Sequence, residues 1–256
     1  MEDVENAAQT VKNCHSLLIP GYTVLSKHRP SSSGGVGWYC KKTLNVDYWD
    51  PSSLPEELME VSCERCWIKL NNGHDSIAFC VTYLPCESNA DIQGDKYQKV
   101  LDLLSFDCRI LQQEGIKHFI NGDFNAHIGS PVESSFGIKG NNPRIGHNGS
   151  RLLTWMSQHC KTSLNSQPFA KGLWTYQSHD WSRFSVLDFT ICDKNNLSLV
   201  KGFVVDDNRD YTQINNDHNL IISLIEANYS SVQWPKAKPQ LKWDLANLIN
   251  LNTMQF

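Results

Sequence analysis

Polar side chains that can do chemistry follow apolar, strand-like runs in this chain. The run IKHFINGDFNAHIG, residues 116–129, contains Asp123 and Asn125, with His127 two positions further on. An acid and an amide placed directly after a buried strand can orient a water molecule or accept its proton. Asp and Asn are also common turn residues, so this run alone leaves a purely structural role open.

Asp188 is the most unusual acid in the sequence, because it lies between Leu187 and Phe189 in the apolar run SVLDFTIC. A carboxylate is costly to bury unless it is paired, and His218, beside another apolar run, is a natural partner. An Asp–His pair fixes the orientation of the imidazole and favours its protonated form. A protonated histidine can stabilise negative charge that develops on a phosphoryl oxygen.

Neighbouring polar residues complete a set that suits phosphoester hydrolysis. Asp217 supplies a hard oxygen ligand of the kind that Mg²⁺ binds, and Tyr83 ends the strand-like run IAFCVTY. Asp123 would orient or deprotonate water, while the amide of Asn125 would hold the substrate or nucleophile. Together these residue types predict metal-assisted hydrolysis of a phosphate ester.

Strands dominate the elements that must position these side chains. A helix is predicted where apolar residues recur at helical spacing from Tyr97 to Leu111, and Gly115 suits its C-terminus. A second, short helix is predicted in SRLLTWMSQHC. The strand-like runs cover residues 35–41, 66–70, 76–84, 116–121, 161–166, 185–192, 198–205 and 218–225. This pattern of elements indicates an α/β or α+β sandwich.

Composition restricts the class of protein further. The chain has 256 residues, 40 % of them hydrophobic, which is enough for a large domain with a sizeable core. With a net charge of −4, no overall basic field draws the protein to nucleic acid or membrane. No apolar run approaches the roughly 20 residues of a membrane span. The nine scattered cysteines indicate reduced thiols in an intracellular protein, and Cys63 and Cys66 lack the partners of a zinc site.

Several segments resemble, in order along the chain, motifs of the endonuclease/exonuclease/phosphatase superfamily. They are TYLP, NGDFNAHIG, LWTYQS followed by SVLDFTICD, and NNDHNLIISLI. LLIPGYTVLSKHRPSSSGGVGWYC and NGSRLLTWMSQHCKTSLNS further resemble the apurinic-type endonuclease domain of non-LTR, LINE-type retrotransposons. The resemblance implies a DNase I-like fold, a four-layered sandwich of two mixed β-sheets flanked by helices. It also implies nicking of DNA with Mg²⁺ or Mn²⁺, in the nucleus.

The same resemblance implies roles for individual residues. Those that match catalytic positions of the family are Tyr83, Asp123, Asn125, Asp188 and His218. Those that match metal-binding positions are Asp217 and, by its offset before Gly21, Glu5. Those expected to contact the substrate are Thr175, Trp181, Arg183, Ser185 and Asn216, where the family usually has serine at the last position. His127 matches no catalytic position.

The resemblance is incomplete at the start of the chain. Family members begin with a strand that ends in an Asn-containing motif, followed by a strand that ends in a metal-binding Glu. MEDVENAAQ is not an apolar strand and the Asn motif has no counterpart, so the first strand or strands are expected to be missing. Residues 1–227 are expected to form the endonuclease-like domain, and residues 228–256 a linker that leads towards a reverse transcriptase.

The sequence leaves alternative functions open. Because the first half of the family's site is expected to be missing, the domain could be weakly active or a non-catalytic remnant that binds nucleic acid or a partner protein. A phosphatase or phosphodiesterase of the same superfamily fits the acidic composition equally well. A repair enzyme for abasic sites fits less well, since the C-terminal linker resembles that of a mobile element.

Overall fold

The computed structural model describes residues 19–29, 34–71, 75–87, 95–129, 144–208 and 216–227. Glu5, which was predicted to bind metal, and the predicted linker of residues 228–256 lie outside these ranges. The other predicted site residues all lie within them.

Strands are the most frequent elements. They are β1 (Tyr22–His28), β2 (Gly35–Lys41), β3 (Val46–Trp49), β4 (Arg65–Asn71), β5 (Ser76–Tyr83), β6 (Lys117–Asp123), β7 (Lys161–Ser163), β8 (Ala170–Lys171), β9 (Tyr176–Gln177), β10 (Phe184–Ser185), β11 (Asp188–Asp193), β12 (Val200–Val205) and β13 (Ile221–Ile225). The α-helices of the described residues are α1 (Glu56–Met59), α2 (Lys96–Gln113) and α3 (His147–Gln158), and 3₁₀ helices cover Ser62–Glu64, Leu164–Ser166 and Lys194–Leu199. This mixture confirms the predicted α/β class.

Six strands form the principal sheet, in the order β3–β4–β5–β6–β11–β7. β5 and β6 are parallel whereas the other neighbours are antiparallel, so the sheet is mixed, as predicted. One face of the sheet packs against α2, whose leucines Leu101, Leu104 and Leu111 are fully buried. Their helical spacing explains why this segment was predictable as an amphipathic helix.

The opposite face of the principal sheet is partly covered by two smaller sheets, β1–β2 and β13–β12–β8. Phe119 of β6 and Phe203 of β12 are both fully buried in the core between these layers. The helices of the described residues contact one another, α1 with α2 and α2 with α3, and so share one side of the sheet. The described residues therefore form three of the four layers that were predicted.

A cavity of about 590 Å³ interrupts the layer that the two smaller sheets form above the middle of the principal sheet. Trp38 of β2, Phe79 of β5 and Ile221 of β13 line it, together with Asp188 and His218. β13 is apolar on both faces, which is typical of a central strand, yet among the described strands it pairs only with β12. Among the residues that the structure describes, the layer of smaller sheets is thus incomplete next to the residues predicted to be catalytic.

Hydrogen bonds to side chains shorten three of the predicted strands. After β7 the chain turns into a 3₁₀ helix because Ser163 Oγ accepts the N–H of Asn165 at 3.2 Å. The predicted strand 185–192 starts at Asp188, and the strand predicted from His218 starts only at Ile221. The Thr175 hydroxyl accepts the N–H groups of Leu187 and Asp188, and Asn216 Oδ1 accepts the N–H of His218, so side chains take the place of ladder partners there.

The buried cysteines Cys40, Cys66, Cys80, Cys108 and Cys192 are free thiols, as are the more accessible Cys63, Cys86 and Cys160. None of the helices that the structure describes is long and apolar enough to cross a membrane.

Candidate active site

The carboxyl ends of β5 and β6 place Tyr83 beside Asp123. The two strands are parallel, and these two residues are partners in the register. The strands can approach in this way because Gly122 has φ of 154° and no side chain. A Cβ at Gly122 would lie 1.9 Å from the carbonyl oxygen of Thr82. Glycine at this position is therefore what brings the phenol next to the carboxylate.

Asn125 fixes the carboxylate of Asp123. Its backbone N–H donates to Asp123 Oδ1 at 2.9 Å, and its Nδ2 donates to Asp123 Oδ2 at 3.1 Å and to the Leu84 carbonyl at 2.8 Å. Because a carbonyl only accepts, the contact with Leu84 sets the orientation of the amide. Asn125 has φ of 44°, a left-handed conformation that Asn tolerates better than most residues. The amide thus holds the acid and the end of β5 together.

The predicted Asp188–His218 pair is formed. β11 runs antiparallel to β6 and places Asp188 opposite Asp123. His218 Nδ1 lies 2.9 Å from Asp188 Oδ2, and the ring of Tyr176 contacts the imidazole edge-on with 5.2 Å between the ring centroids. The side chains of both members of the pair are partly exposed, so the imidazole is oriented and still reachable from solvent.

Thr175 positions Asp188 in place of the substrate contact that the resemblance implied. Its side chain is fully buried, and its Oγ1 accepts the backbone N–H groups of Leu187 at 2.9 Å and of Asp188 at 3.0 Å. Its carbonyl accepts the N–H of Asn219 at 2.7 Å, which ties the segment around His218 to the same residue. A buried hydroxyl with these bonds anchors both halves of the Asp–His pair.

Charge and burial move the pKa of two groups in the site away from their ordinary values. Burial, and then the charge of Asp188, raise the pKa of Asp123 to about 6, although the hydrogen bonds from Asn125 oppose this. Burial lowers the pKa of His218, but the hydrogen bond and charge of Asp188, with the charges of Asp123 and Asp217, raise it to about 9. At neutral pH the site therefore combines an ionised Asp123 with an imidazolium.

An NMR titration of the metal-free protein should show the effect of Asp188 on His218. The imidazole is expected to titrate with a midpoint at about 9, so that it carries a proton at pH 7 and loses it as the pH rises through 9. In Asp188→Asn the charge partner is gone while the shape is kept, so the midpoint should fall towards the value of an ordinary histidine. A midpoint unchanged by this substitution would contradict the coupling.

The other predicted site residues lie around this centre. Asn216 Oδ1 accepts the N–H of His218 at 3.2 Å, and the Ser185 carbonyl accepts the N–H of Thr175 at 2.9 Å. Trp181 and Arg183 lie on an exposed loop, where the Trp181 side chain is 65 % exposed. Their contacts with a substrate stay predictions.

One positioning residue was missed in the sequence. Asn148, at the start of α3, is almost fully buried, and its Nδ2 donates to the carbonyls of Pro85 and Asn125, both at 3.1 Å. It therefore joins the loop after Tyr83 to the loop after Asp123. No local pattern marked this role, because a lone Asn before an amphipathic helix is usually a capping residue.

The centre offers ligands for a divalent cation. Asp123, Asp188 and His218 present ligand atoms that all lie within 4.8 Å of one another. Because His218 Nδ1 is bonded to Asp188, the carboxylate oxygens are the better donors, and Mg²⁺ and Mn²⁺ prefer oxygen. Asp217, which was predicted to bind metal, is not among these three, although its charge raises the pKa of His218. These donors fit Mg²⁺ or Mn²⁺.

Solved structures of nucleases and phosphatases share this architecture. The endonuclease domain of TRAS1, a telomere-specific non-LTR retrotransposon, matches with a TM-score of 0.55 and 14 % identity over 82 % of this chain and 82 % of that chain. The AP endonuclease LMAP from Leishmania major matches with a TM-score of 0.60 and 15 % identity over 82 % and 72 %. The 3′ phosphatase NExo from Neisseria matches with a TM-score of 0.51 and 10 % identity over 81 % and 80 %.

These likenesses confirm the fold predicted from the motifs. The chain has the endonuclease/exonuclease/phosphatase fold, which it shares with these two endonucleases and this phosphatase. No protein-family model matches the sequence, and no curated protein sequence matches it significantly. At identities of 10 to 15 % the likeness extends to the fold, and the particular activity has to be argued from the site.

Proposed function

We propose that this protein is a retrotransposon-derived endonuclease-like domain that nicks DNA in the presence of Mg²⁺ or Mn²⁺. The observation that carries the proposal is the 2.9 Å contact between Asp188 and His218 directly beside Asp123. This arrangement places a potential base, Asp123, and an imidazolium, His218, at the same end of one sheet. A domain of residues 1–227, a linker of residues 228–256 leading to a reverse transcriptase, and a nuclear location belong to the same proposal.

Asp123 acts on the attacking water. With its pKa raised to about 6 the carboxylate is ionised at neutral pH, yet basic enough to accept a proton from water near the phosphorus. The two hydrogen bonds from Asn125 hold both carboxylate oxygens, so the orientation of the base is set before the substrate arrives.

His218 and Tyr83 act on the phosphate. As an imidazolium, His218 donates Nδ1–H to Asp188 and has Nε2–H available for a non-bridging phosphate oxygen, where negative charge develops. Tyr83, next to Asp123 in the register, has a hydroxyl suited to hydrogen bonding a phosphate oxygen of the same substrate. Asp217, at a position that the resemblance assigns to metal binding, would help to hold a divalent cation, which would neutralise phosphate charge when bound.

Supercoiled plasmid provides the direct test. The protein is expected to convert it to the relaxed form when Mg²⁺ is present, to lose this activity in EDTA, and to lose it in Asp123→Ala, which lacks the proposed base. Agarose gel electrophoresis over a wide range of Mg²⁺ and Mn²⁺ concentrations measures the conversion. Absence of nicking by the wild-type protein throughout that range would refute the catalytic proposal.

Two other candidates have support of their own. A phosphatase is favoured by the likeness to the Neisseria 3′ phosphatase and to a mannosyl-6-phosphatase from Bacteroides thetaiotaomicron, with TM-scores of 0.51 and 0.50. Release of inorganic phosphate from small monoesters would identify it. A non-catalytic nucleic-acid-binding remnant is favoured by the gap that the described residues leave in the layer of smaller sheets beside the site. It predicts DNA binding that is indifferent to Mg²⁺ and to Asp123→Ala.

A further inference from the structure

A buried carboxylate links two partly exposed cations beside Tyr83. Glu64 ends a 3₁₀ helix and is 1 % exposed. Arg29 donates Nε and NH2 to its carboxylate at 2.8–3.1 Å, and Lys96 Nζ donates to Oε1 at 2.7 Å. Thr82, the residue before Tyr83, donates its hydroxyl to the Glu64 carbonyl at 2.9 Å.

Arg29 also contacts the candidate active site directly. Its guanidinium carbon lies 4.7 Å from the centroid of the Tyr83 ring, a cation–π distance. Since Tyr83 is the register partner of Asp123, this guanidinium stands at the edge of the catalytic centre. A guanidinium carries five N–H donors in a planar fork, and Glu64 accepts from two of its nitrogens.

Because the acid is buried and both cations are partly exposed, this network presents positive charge at the protein surface. The acid is 1 % exposed, whereas the side chains of Arg29 and Lys96 are 28 % and 44 % exposed. Two cations share one anion, so the network has a surplus of one positive charge and presents that charge to solvent. The neighbouring catalytic centre is acidic in contrast, since Asp123 is the register partner of Tyr83 and the charges of Asp123, Asp188 and Asp217 all act on His218.

We propose that Arg29 and Lys96, fixed by Glu64, form a phosphate clamp that binds a backbone phosphate next to the one being cleaved. This inference rests on the proposed function, and it specifies the substrate as a polynucleotide strand, since a small monoester or diester has no second phosphate to reach the clamp. Arg29 in addition positions the ring of Tyr83 through the cation–π contact.

An alternative role for the network is purely structural, as a tie between β1, the 3₁₀ helix and α2. A structural tie predicts changes in stability and no change in the number of ions released when DNA binds. Each phosphate contact of a clamp, in contrast, contributes about 0.9 to the slope of log K against log salt concentration. The salt dependence of DNA binding therefore separates the two roles.

Fluorescence anisotropy with a labelled duplex oligonucleotide in EDTA tests the clamp without any need for cleavage. Arg29→Gln and Lys96→Gln are each expected to weaken DNA binding about 3–10-fold and to reduce the salt slope by about 1. Lys99→Gln is the matched control, because Lys99 lies on the same helix, pairs with the exposed Glu60 at 2.5 Å and is outside the network. It should leave affinity and slope unchanged.

Kinetics give a second measurement if the protein is active. The ratio of kcat/KM for DNA to kcat/KM for bis(p-nitrophenyl) phosphate, which has a single phosphate, is expected to fall about 5-fold in Lys96→Gln. Unchanged affinity and slope in both clamp variants, an equal loss in Lys99→Gln, or no DNA binding by the wild-type protein would overturn the clamp. Binding that follows the expected pattern without any cleavage would keep the clamp and reject the proposed function.

Discussion

Substitution of His218 by alanine is expected to lower the rate of DNA nicking by about 10²–10⁴-fold, with a much smaller effect on KM. The reason is that the imidazolium meets charge that develops only in the transition state, so its removal raises the barrier and leaves ground-state binding nearly unchanged. Single-turnover nicking of supercoiled plasmid at pH 7 measures the loss.

Asp188 gives this prediction an internal check. If Asp188 acts through His218, the double variant Asp188→Asn/His218→Ala should nick within about 3-fold of His218→Ala alone, since residues that act as a unit are not additive. A double variant that is much slower would show that Asp188 also acts on its own, as a cation ligand would.

The control for His218 is another histidine far from the site. His159 is exposed after the end of α3, where it contacts Ser105 and Trp155, and His159→Ala should retain full activity. A His218→Ala protein that nicks at the wild-type rate would contradict the proposed mechanism, whatever the activity of the control.

Substitution of Asp107 by alanine is expected to lower the free energy of unfolding by about 3–5 kcal/mol. Asp107 lies fully buried on α2, where Arg65 donates Nε to it at 2.6 Å and Trp67 donates its indole N–H at 2.8 Å. Removing the carboxylate leaves the guanidinium of Arg65, itself 0 % exposed, with Asp50 as its ion-pair partner at the surface end. An under-compensated charge in the core is far more costly than a lost surface contact.

Glu60 provides the comparison for Asp107. It forms an ion pair with Lys99 and is 61 % exposed, so Glu60→Ala should lower the free energy of unfolding far less than Asp107→Ala does. Urea unfolding followed by tryptophan fluorescence measures both variants, with equal m-values as the condition for comparing them. Similar losses of unfolding free energy in the two variants would mean that the buried Asp107–Arg65 pair stabilises the fold no more than an exposed ion pair does.

Periodic elements were predictable because their signals are local. The spacing of apolar residues in α2 and the alternation in β2 predicted these elements within a residue or two of their observed bounds. The strand around Asp188 was less predictable, since a buried hydroxyl of Thr175, twelve residues or more away in the chain, takes the N–H groups that the strand would use. Tertiary hydrogen bonds override local preference there.

The roles of side chains at the site were likewise predictable only where the sequence carries a local signal. The pairing of Asp188 with His218 followed from one physical requirement, that a carboxylate in an apolar run needs a partner. The network of Arg29, Glu64 and Lys96 carries no such signal, because charged residues scattered over the sequence are ordinarily solvated. Folding alone shows that Glu64 is buried and that both cations meet there.

The sequence by itself determined the class of fold, the chemistry expected at the strand ends and the identity of the Asp–His pair, because apolar periodicity and the cost of burying charge are properties of short segments. Only the tertiary structure decided which polar residues hold those groups in place. The carbonyl of Thr82 leaves room for glycine alone at position 122, and Thr175 and Asn148 bond to segments distant in the chain. Contacts of this kind depend on how strands approach one another, which no local pattern encodes.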